Sequence, residues 1–251
     1  MKPGYCANPR QFARKLFRYL AGPWSIPSPL LSETEAAVIC GFFFGKNVMS
    51  QPFILFHHVT FAYDSAVTPL FRDLSVHMPV GWCGIVGANG AGKTTFLKLA
   101  TGLLVPEEGS VDRPPRTVYC PQRTDHSPDM FAALLEDSSK SAALIRSQLG
   151  IQPDWLRRWP TLSHGERKRA QVGAALWQDP DAMAIDEPTN HMDISSIECL
   201  ENALADCPCC LLLISHDRRF LAKLTRTEWR IARSQAAQNR LVLRVVPFCG
   251  N

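Results

Sequence analysis

The segment Gly87–Thr94 has the spacing of a loop that binds phosphate groups. Its sequence, GANGAGKT, fits the pattern G-x-x-x-x-G-K-[ST] and lies between an apolar run, Trp82–Val86, and a helix-forming run, Thr95–Ala100. Glycines let successive backbone N–H groups point at phosphate oxygens, and the following helix adds its positive N-terminal end. We therefore expect Lys93 to reach the β- and γ-phosphates of a nucleoside triphosphate and the Thr94 hydroxyl to bind Mg²⁺.

Two further apolar runs end in polar residues suited to triphosphate chemistry. Ala182–Ile185 precedes Asp186 and Glu187, and Leu211–Ile214 precedes a Ser-His-Asp segment that contains His216. Ligands bind at the carboxyl ends of strands in open α/β sheets, so these groups should meet the phosphate loop. We assign Asp186 to Mg²⁺, Glu187 to the attacking water and His216 to the γ-phosphate. The alternatives are an ordinary strand end for the two acids and a structural role for the histidine.

The order of these motifs resembles the ATP-binding-cassette (ABC) family over about residues 53–231. Leu162–Glu166, with the sequence LSHGE, looks like the family's signature segment, and Gln122 in the sequence YCPQ looks like its Q-loop. Tyr63 lies 24 residues before Gly87, where the family places an aromatic ring that stacks on adenine. Packing within a strand is the alternative for this tyrosine.

The resemblance implies an α/β fold, namely a P-loop NTPase domain of ABC type over residues 51–251. It implies an N-terminal antiparallel β subdomain and a small helical subdomain at about residues 125–178. A helix is expected at Arg167–Trp177, after the signature segment. The 39 residues between Gln122 and Leu162 suit a compact helical subdomain.

The same resemblance implies an ATPase whose cofactors are ATP and Mg²⁺. The residues that it implies for ATP binding are Tyr63, Gly87, Ala88, Asn89, Gly90, Ala91, Gly92, Lys93, Thr94, Thr95, Ser163 and Gly165. Those that it implies for catalysis are Glu187, His216 and Gln122. Those that it implies for Mg²⁺ are Thr94, Gln122 and Asp186.

A second cassette is the partner that the resemblance implies. In this family two cassettes enclose ATP head to tail, and the signature segment acts on the nucleotide of the other cassette. One chain then holds two half-sites, with the phosphate loop in one and Ser163 and Gly165 in the other. The pair can be a homodimer or a heterodimer with another cassette.

The segments Glu187–Asp193 and Ser215–Arg218 resemble the ABC-F branch, which is soluble, cytoplasmic and translation-associated, so the ribosome is a candidate partner. The chain departs from that branch in having one cassette and no helical linker. The alternative is the ATP-binding subunit of an ABC transporter with a separate membrane-spanning subunit. His164 replaces a usual glycine of the signature, so a regulatory nucleotide-binding module with slow turnover is a third hypothesis.

Composition excludes several classes of protein. Of the 251 residues, 46% are hydrophobic and 20% are charged, which argues against a disordered chain, and no run approaches the roughly 20 apolar residues of a membrane span. The net charge of +4 comes from residues 1–50, so overall charge gives no argument for nucleic-acid binding. Basic residues within 167–169 and 218–233 form either a phosphate-binding surface or a solvated helix face.

Residues 1–50 are proline-rich and are predicted to form an irregular extension. An alternative hypothesis is that translation starts at Met49, so that the preceding residues are not part of the protein. A short basic amphipathic helix near Phe12–Leu20 is another interpretation. The nine cysteines are odd in number and scattered, which favours a reducing compartment. The cluster Cys207–Cys210 is predicted to form a turn before a strand, and a metal-binding tract is the alternative.

Overall fold

The computed structural model describes residues 54–78, 81–205, 207–233 and 241–247, with Arg233 and the last seven residues described by backbone alone. The expectations for residues 1–50, including the start at Met49 and the basic helix, lie outside the described residues.

Three strands form a small antiparallel sheet. Its strands are β1 (Ile54–Phe61), β2 (Phe71–Met78) and β4 (Glu108–Asp112), in the order β2-β1-β4. Buried and exposed residues largely alternate along β2, as they must when one face of a strand is covered and the other meets water. This sheet confirms the predicted antiparallel β subdomain.

A larger sheet of six strands forms the centre of the domain, in the order β5-β6-β7-β3-β8-β9. All neighbouring strands are parallel except β9, which is antiparallel to β8. Its strands are β3 (Trp82–Gly87), β5 (Thr117–Cys120), β6 (Ala182–Asp186), β7 (Cys210–Ile214), β8 (Thr227–Arg233) and β9 (Leu241–Pro247). Every residue of β6 and β7 is buried, because both faces of a parallel sheet are covered.

Six helices flank the sheets in the described residues. They are α1 (Lys93–Thr101), α2 (Phe131–Glu136), α3 (Lys140–Gln148), α4 (His164–Trp177), α5 (Ile194–Ala205) and α6 (Arg218–Leu224), with a 3₁₀ turn at Trp159–Thr161. Helices α2, α3 and α4 and the 3₁₀ turn fall within the segment predicted to be a helical subdomain. The boundaries of that subdomain stay a prediction.

Two hydrophobic cores cover opposite faces of the parallel sheet. One joins α1 to both sheets, and within it the rings of Phe56 and Phe96 stack at 4.7 Å between centroids. The other joins the sheet to the helices and contains Phe131, Trp155 and Trp159. Alternate residues of β7 enter alternate cores, so this strand holds the two halves of the domain together.

Helix α4 begins at His164, three residues earlier than predicted. Ser163 is its N-cap: the Ser163 hydroxyl accepts a hydrogen bond from the N–H of Glu166, and the Glu166 carboxylate accepts one from the N–H of Ser163. This reciprocal pair satisfies N–H groups that would otherwise lack partners, so the helix starts inside the signature segment. The polar residues at its start obscured this in the sequence. Similarly, α1 begins at Lys93 rather than Thr95.

None of the described helices is long and apolar enough to cross a membrane. The cluster at Cys207 leads into β7, which starts at Cys210, and the Sγ atoms of Cys207 and Cys209 lie 2.6 Å apart. Among the described residues no group of three or more His, Cys, Asp or Glu side chains is arranged to hold a metal ion.

Candidate nucleotide site

A cleft of about 950 Å³ opens where β3, β6 and β7 end, beside the loop between β1 and β2. Eleven of the predicted site residues line it: Tyr63, Asn89, Gly90, Gly92, Lys93, Thr94, Thr95, Gln122, Asp186, Glu187 and His216. Five do not, namely Gly87, Ala88, Ala91, Ser163 and Gly165. The first three belong to the phosphate loop itself, whereas Ser163 is the N-cap of α4 and Gly165 lies in its first turn.

The phosphate loop turns directly into α1. Gly92 is the N-cap of this helix, with a φ of 93°, and a Cβ at this position would lie 3.1 Å from the Leu70 side chain. A side chain would therefore be strained both by the backbone conformation and by its neighbours. Within the described residues no side chain caps α1, so its first N–H groups remain directed at the cleft.

Lys93 lies over the mouth of the loop. Its Nζ donates hydrogen bonds to the backbone oxygens of Gly87 at 2.9 Å and Ala88 at 3.2 Å. These bonds hold the ammonium on the loop, beside the N–H groups of the helix start. The arrangement concentrates positive charge at one point of the cleft and suits a triphosphate.

The Thr94 hydroxyl and the Asp186 carboxylate lie together although they are 92 residues apart. Oγ1 of Thr94 donates to Oδ2 of Asp186 at 2.7 Å, and the Tyr119 hydroxyl donates to the same oxygen at 3.1 Å. Burial, and then the neighbouring carboxylate, raise the pKa of Tyr119, so its hydroxyl stays a donor. Magnesium prefers oxygen ligands, and a hydroxyl, a carboxylate and the nearby Gln122 amide fit that preference.

Glu187 follows Asp186 and is almost fully buried. Its Oε2 accepts a hydrogen bond from the N–H of His216 at 3.2 Å. Its Oε1 lies 3.3 Å from Nε2 of His216 but has no hydrogen-bond partner among the described residues. Burial is the main cause that raises the pKa of Glu187, which makes it a better proton acceptor than an exposed carboxylate. The free oxygen suits a residue that must hold and deprotonate a water.

Tyr63 borders the cleft and is 44% exposed. Its hydroxyl hydrogen-bonds the Thr95 hydroxyl at 2.9 Å, and its ring meets that of Phe61 edge-on at 5.0 Å between centroids. These contacts orient the ring, while the residue as a whole stays exposed. An aromatic face held in this way can stack on a nucleotide base.

The signature segment stands apart from the cleft of its own chain. Ser163 is exposed at the N-terminus of α4, while Gly165 is buried, where a Cβ would come within 2.9 Å of the Ser196 hydroxyl. The His164 ring lies edge-on to that of His191, with centroids 6.0 Å apart. Burial, and then the positive charge of Lys168, lower the pKa of His164 and favour the neutral imidazole.

Three residues of this region escaped the sequence analysis. Arg72, an exposed residue of β2, lines the cleft. Tyr119 donates to Asp186, and Lys168 donates to the backbone of Gln122. A tyrosine in an apolar strand and a lysine in a basic run carry no signal for such roles, because the partners lie 67 and 46 residues away.

The loop at the end of a central parallel strand, the helix that follows it and the acidic pair at the end of β6 define a P-loop nucleotide-binding domain. Residues 71–190 match the family model described as "ABC transporter". A solved structure of "a bacterial Atm1-family ABC exporter with ATP bound" has the same fold, with a TM-score of 0.63, 20% identity, and coverage of 78% of this chain and 39% of that one. Residues 71–190 thus match the ATP-binding domain of the ABC family, a family of ATPases.

Several curated proteins are similar to this chain in sequence. "ATP-binding protein Uup" of Caulobacter vibrioides is 38% identical over 62% of this chain and 27% of its own length. "Energy-dependent translational throttle protein EttA" of Mycobacterium tuberculosis is 34% identical over 65% of this chain and 32% of its own. "ATP-binding cassette sub-family F member 2" of Bos taurus is 29% identical over 71% of this chain and 31% of its own. The matched region thus spans about a third of each relative.

Proposed function

We propose that this chain binds ATP with Mg²⁺ and hydrolyses it at a site that the signature segment of a second cassette completes. The observation that carries the proposal is the assembly of Lys93, Thr94, Asp186, Glu187 and His216 around one cleft. The family match supports the nucleotide, and the chemistry of the side chains supports the reaction.

Each residue of the cleft has its own role in the proposed phosphoryl transfer. The loop N–H groups and Lys93 bind the triphosphate, and Thr94, Asp186 and Gln122 would hold Mg²⁺, which neutralises charge on the phosphate oxygens. Glu187 takes the proton of the attacking water, and its raised pKa serves that task. His216 lies beside Glu187 and contacts the γ-phosphate. Positioning and charge stabilisation supply most of the catalysis.

Dimerisation belongs to the same proposal. Ser163 is exposed and does not line the cleft of its own chain, so a nucleotide bound there lacks a signature segment. A second cassette, packed head to tail, supplies that segment to each cleft. Binding of ATP then closes the pair and hydrolysis opens it, and a partner senses the change.

The first test is ATP hydrolysis by the wild type and by Glu187→Gln. The substitution keeps the size of the side chain and removes the proton acceptor, so turnover should fall by roughly a hundredfold or more while ATP binding is kept. Steady-state phosphate release and nucleotide titration measure the two effects. A variant that hydrolyses ATP at the wild-type rate would contradict the assigned base. A wild-type protein that binds ATP but does not hydrolyse it would instead favour a regulatory nucleotide-binding module.

We further propose that the protein acts in translation, as an ABC-F-like ATPase. The support comes from two relatives, of which one is named a translational throttle protein and the other a member of sub-family F. Glu187→Gln with ATP should accumulate the closed state, which can be followed through a fractionated lysate of the native host. ATP-dependent cosedimentation with ribosomes is the expected result. Recovery with membranes would overturn this proposal in favour of a transporter subunit.

A further inference from the structure

Lys168 is a fully buried cation in the middle of the structure. Its side chain lies on the first turns of α4 and has no exposed surface. Taking an ammonium out of water is unfavourable unless its donors are all used, so a lysine in this position needs a structural explanation. Burial, the main cause, lowers the pKa of Lys168 to about 8, which agrees with the depth of the site.

All three donors of the Lys168 ammonium are used. Nζ donates to the backbone oxygens of Pro121 at 2.7 Å and Gln122 at 3.1 Å, and to Oε1 of Gln171 at 2.9 Å. The Gln171 side chain lies one turn further along α4 and is itself buried. Two of the three bonds therefore tie α4 to the backbone that follows β5, and the third orients the ammonium for them.

The segment that Lys168 holds carries a residue of the nucleotide cleft. Gln122 lines the cleft, and its side chain is exposed to it. Three residues before Gln122, in β5, the Tyr119 hydroxyl donates to Asp186. The end of β5 is thus fixed on one side to the carboxylate assigned to Mg²⁺ and on the other side to α4. Ser163, the N-cap of the same helix, lies five residues before Lys168.

We propose that Lys168 is a positioning residue that links the signature helix to Gln122, so that a displacement of α4 moves Gln122 within the nucleotide cleft. The proposal rests on the proposed ATPase function and deepens it. A second cassette that engages Ser163 would act on α4, and Lys168 would pass that displacement to the Mg²⁺ side of the cleft. Lys168 touches neither nucleotide nor metal, and it acts only through the backbone of Pro121 and Gln122.

The test compares Lys168→Met with Arg169→Met. Methionine fills a similar volume without donors, so Pro121 and Gln122 lose their tie while the packing of α4 is kept. Arg169 is the matched control, because it lies on the same helix and donates to a backbone oxygen, that of Leu149, which is remote from the cleft. Each variant removes from α4 one cationic side chain that donates a hydrogen bond to a backbone carbonyl.

Two readouts separate positioning from general stability. Lys168→Met should raise the Mg²⁺ concentration for half-maximal hydrolysis by roughly tenfold, while ATP affinity without Mg²⁺ stays within about twofold. Amide hydrogen exchange of residues 119–124 should accelerate in Lys168→Met and stay at the wild-type rate in Arg169→Met. Equal Mg²⁺ dependence and equal exchange in wild type and Lys168→Met would overturn the proposal. So would identical effects of the two substitutions.

A second variant covers the case in which Lys168→Met does not fold. Lys168→Gln retains a shorter donor that can reach one of the two carbonyls. The rate of amide hydrogen exchange at residues 119–124 in this variant should therefore lie between the wild-type rate and the rate of unprotected amides. Wild-type exchange in this variant would overturn the proposal. Hydrogen exchange and the binding of a non-hydrolysable ATP analogue with Mg²⁺ need no turnover. A wild type without ATPase activity would therefore refute the proposed function while leaving the link through Lys168 measurable.

Discussion

At the scale of single residues, the site depends on hydrogen bonds between side chains far apart in the chain. Asp186 is 2% exposed and receives donors from Thr94, on the phosphate loop, and from Tyr119, on β5. Glu187 is held by the backbone of His216. Each acidic group is thus oriented by a different neighbouring strand or loop, which suits the two proposed roles, one carboxylate at Mg²⁺ and the other at the attacking water.

Lys93→Ala should lower ATP affinity by roughly tenfold to a hundredfold, because one ammonium makes charged hydrogen bonds to the phosphates. The matched control is Lys98→Ala, five residues further along the same helix and outside the cleft. Isothermal titration with ATP measures both. Wild-type affinity in Lys93→Ala would refute the role given to this lysine, and an equal loss in both variants would point to the helix instead.

At the scale of elements, short polar contacts fix where helices and strands begin and turn. The carboxylate of Asp137 accepts hydrogen bonds from the Trp177 indole at 2.7 Å and from the N–H of Ser139 at 2.7 Å. Asp137 thereby joins the C-terminus of α2, the N-terminus of α3 and the C-terminus of α4. These bonds lower the pKa of Asp137, the one from Trp177 most strongly.

Asp137→Ala should lower the urea midpoint at neutral pH, and the deficit should shrink in acid. The pKa of Asp137 in the folded protein lies below its ordinary value of 3.8, so its contribution is present above that value and is lost as pH falls through the folded pKa. Urea titrations at a series of pH values, with the exposed Asp129→Ala as control, measure this. A deficit that does not change with pH would contradict the stated cause.

Gly109→Ala should destabilise the antiparallel sheet. Gly109 lies in β4 with a φ of 82°, and a Cβ there would lie 2.2 Å from the backbone oxygen of His57 on β1. We expect a loss of about 2 to 4 kcal/mol from the backbone strain and the clash together. Gly81→Ala is the control, because it has positive φ but no atom within 4 Å of its Cβ, and should lose about 1 to 2 kcal/mol. Equal losses in urea unfolding would remove the clash from the explanation.

At the scale of the whole molecule, the described domain separates the two surfaces to which we assign a function. The cleft lies at the ends of the parallel strands, and the exposed Ser163 begins a helix outside it. This separation is what a head-to-tail pair requires, since each cassette must offer its signature segment to its partner. It also makes the proposed dimer testable by mixing two defective chains.

Neither Lys93→Ala nor Ser163→Asp should hydrolyse ATP alone, but a mixture of the two should. Aspartate still caps α4, and its charge repels the triphosphate of the partner. Each mixed dimer joins the intact loop of one chain to the intact signature of the other, so equal amounts should recover roughly a quarter of the wild-type rate if pairing is random. Ser163→Asn, a neutral cap, should stay active. A mixture that shows no gain would contradict a shared site within a homodimer.

Much of the candidate site was predictable because its signals are local. The loop Gly87–Thr94, the acidic pair after β6 and the polar segment after β7 each lie within a few residues of a strand. Their spacing reflects backbone geometry that short sequences determine by themselves. The buried strands were likewise predictable, because continuous apolar runs indicate strands that are covered on both faces. The antiparallel subdomain was expected only from the resemblance to the ABC family.

Local sequence was thus enough to predict the phosphate loop, the class of fold and the residues that could act on a triphosphate. Which of these residues bond to one another became evident from the folded domain. The order β5-β6-β7-β3 brings Tyr119 to Asp186, and the packing of α4 brings Lys168 to Gln122. The start of α4 at His164 also depended on the capping pair of Ser163 and Glu166. These contacts join residues distant in sequence, so their formation depends on the packing of whole elements and not on local pattern.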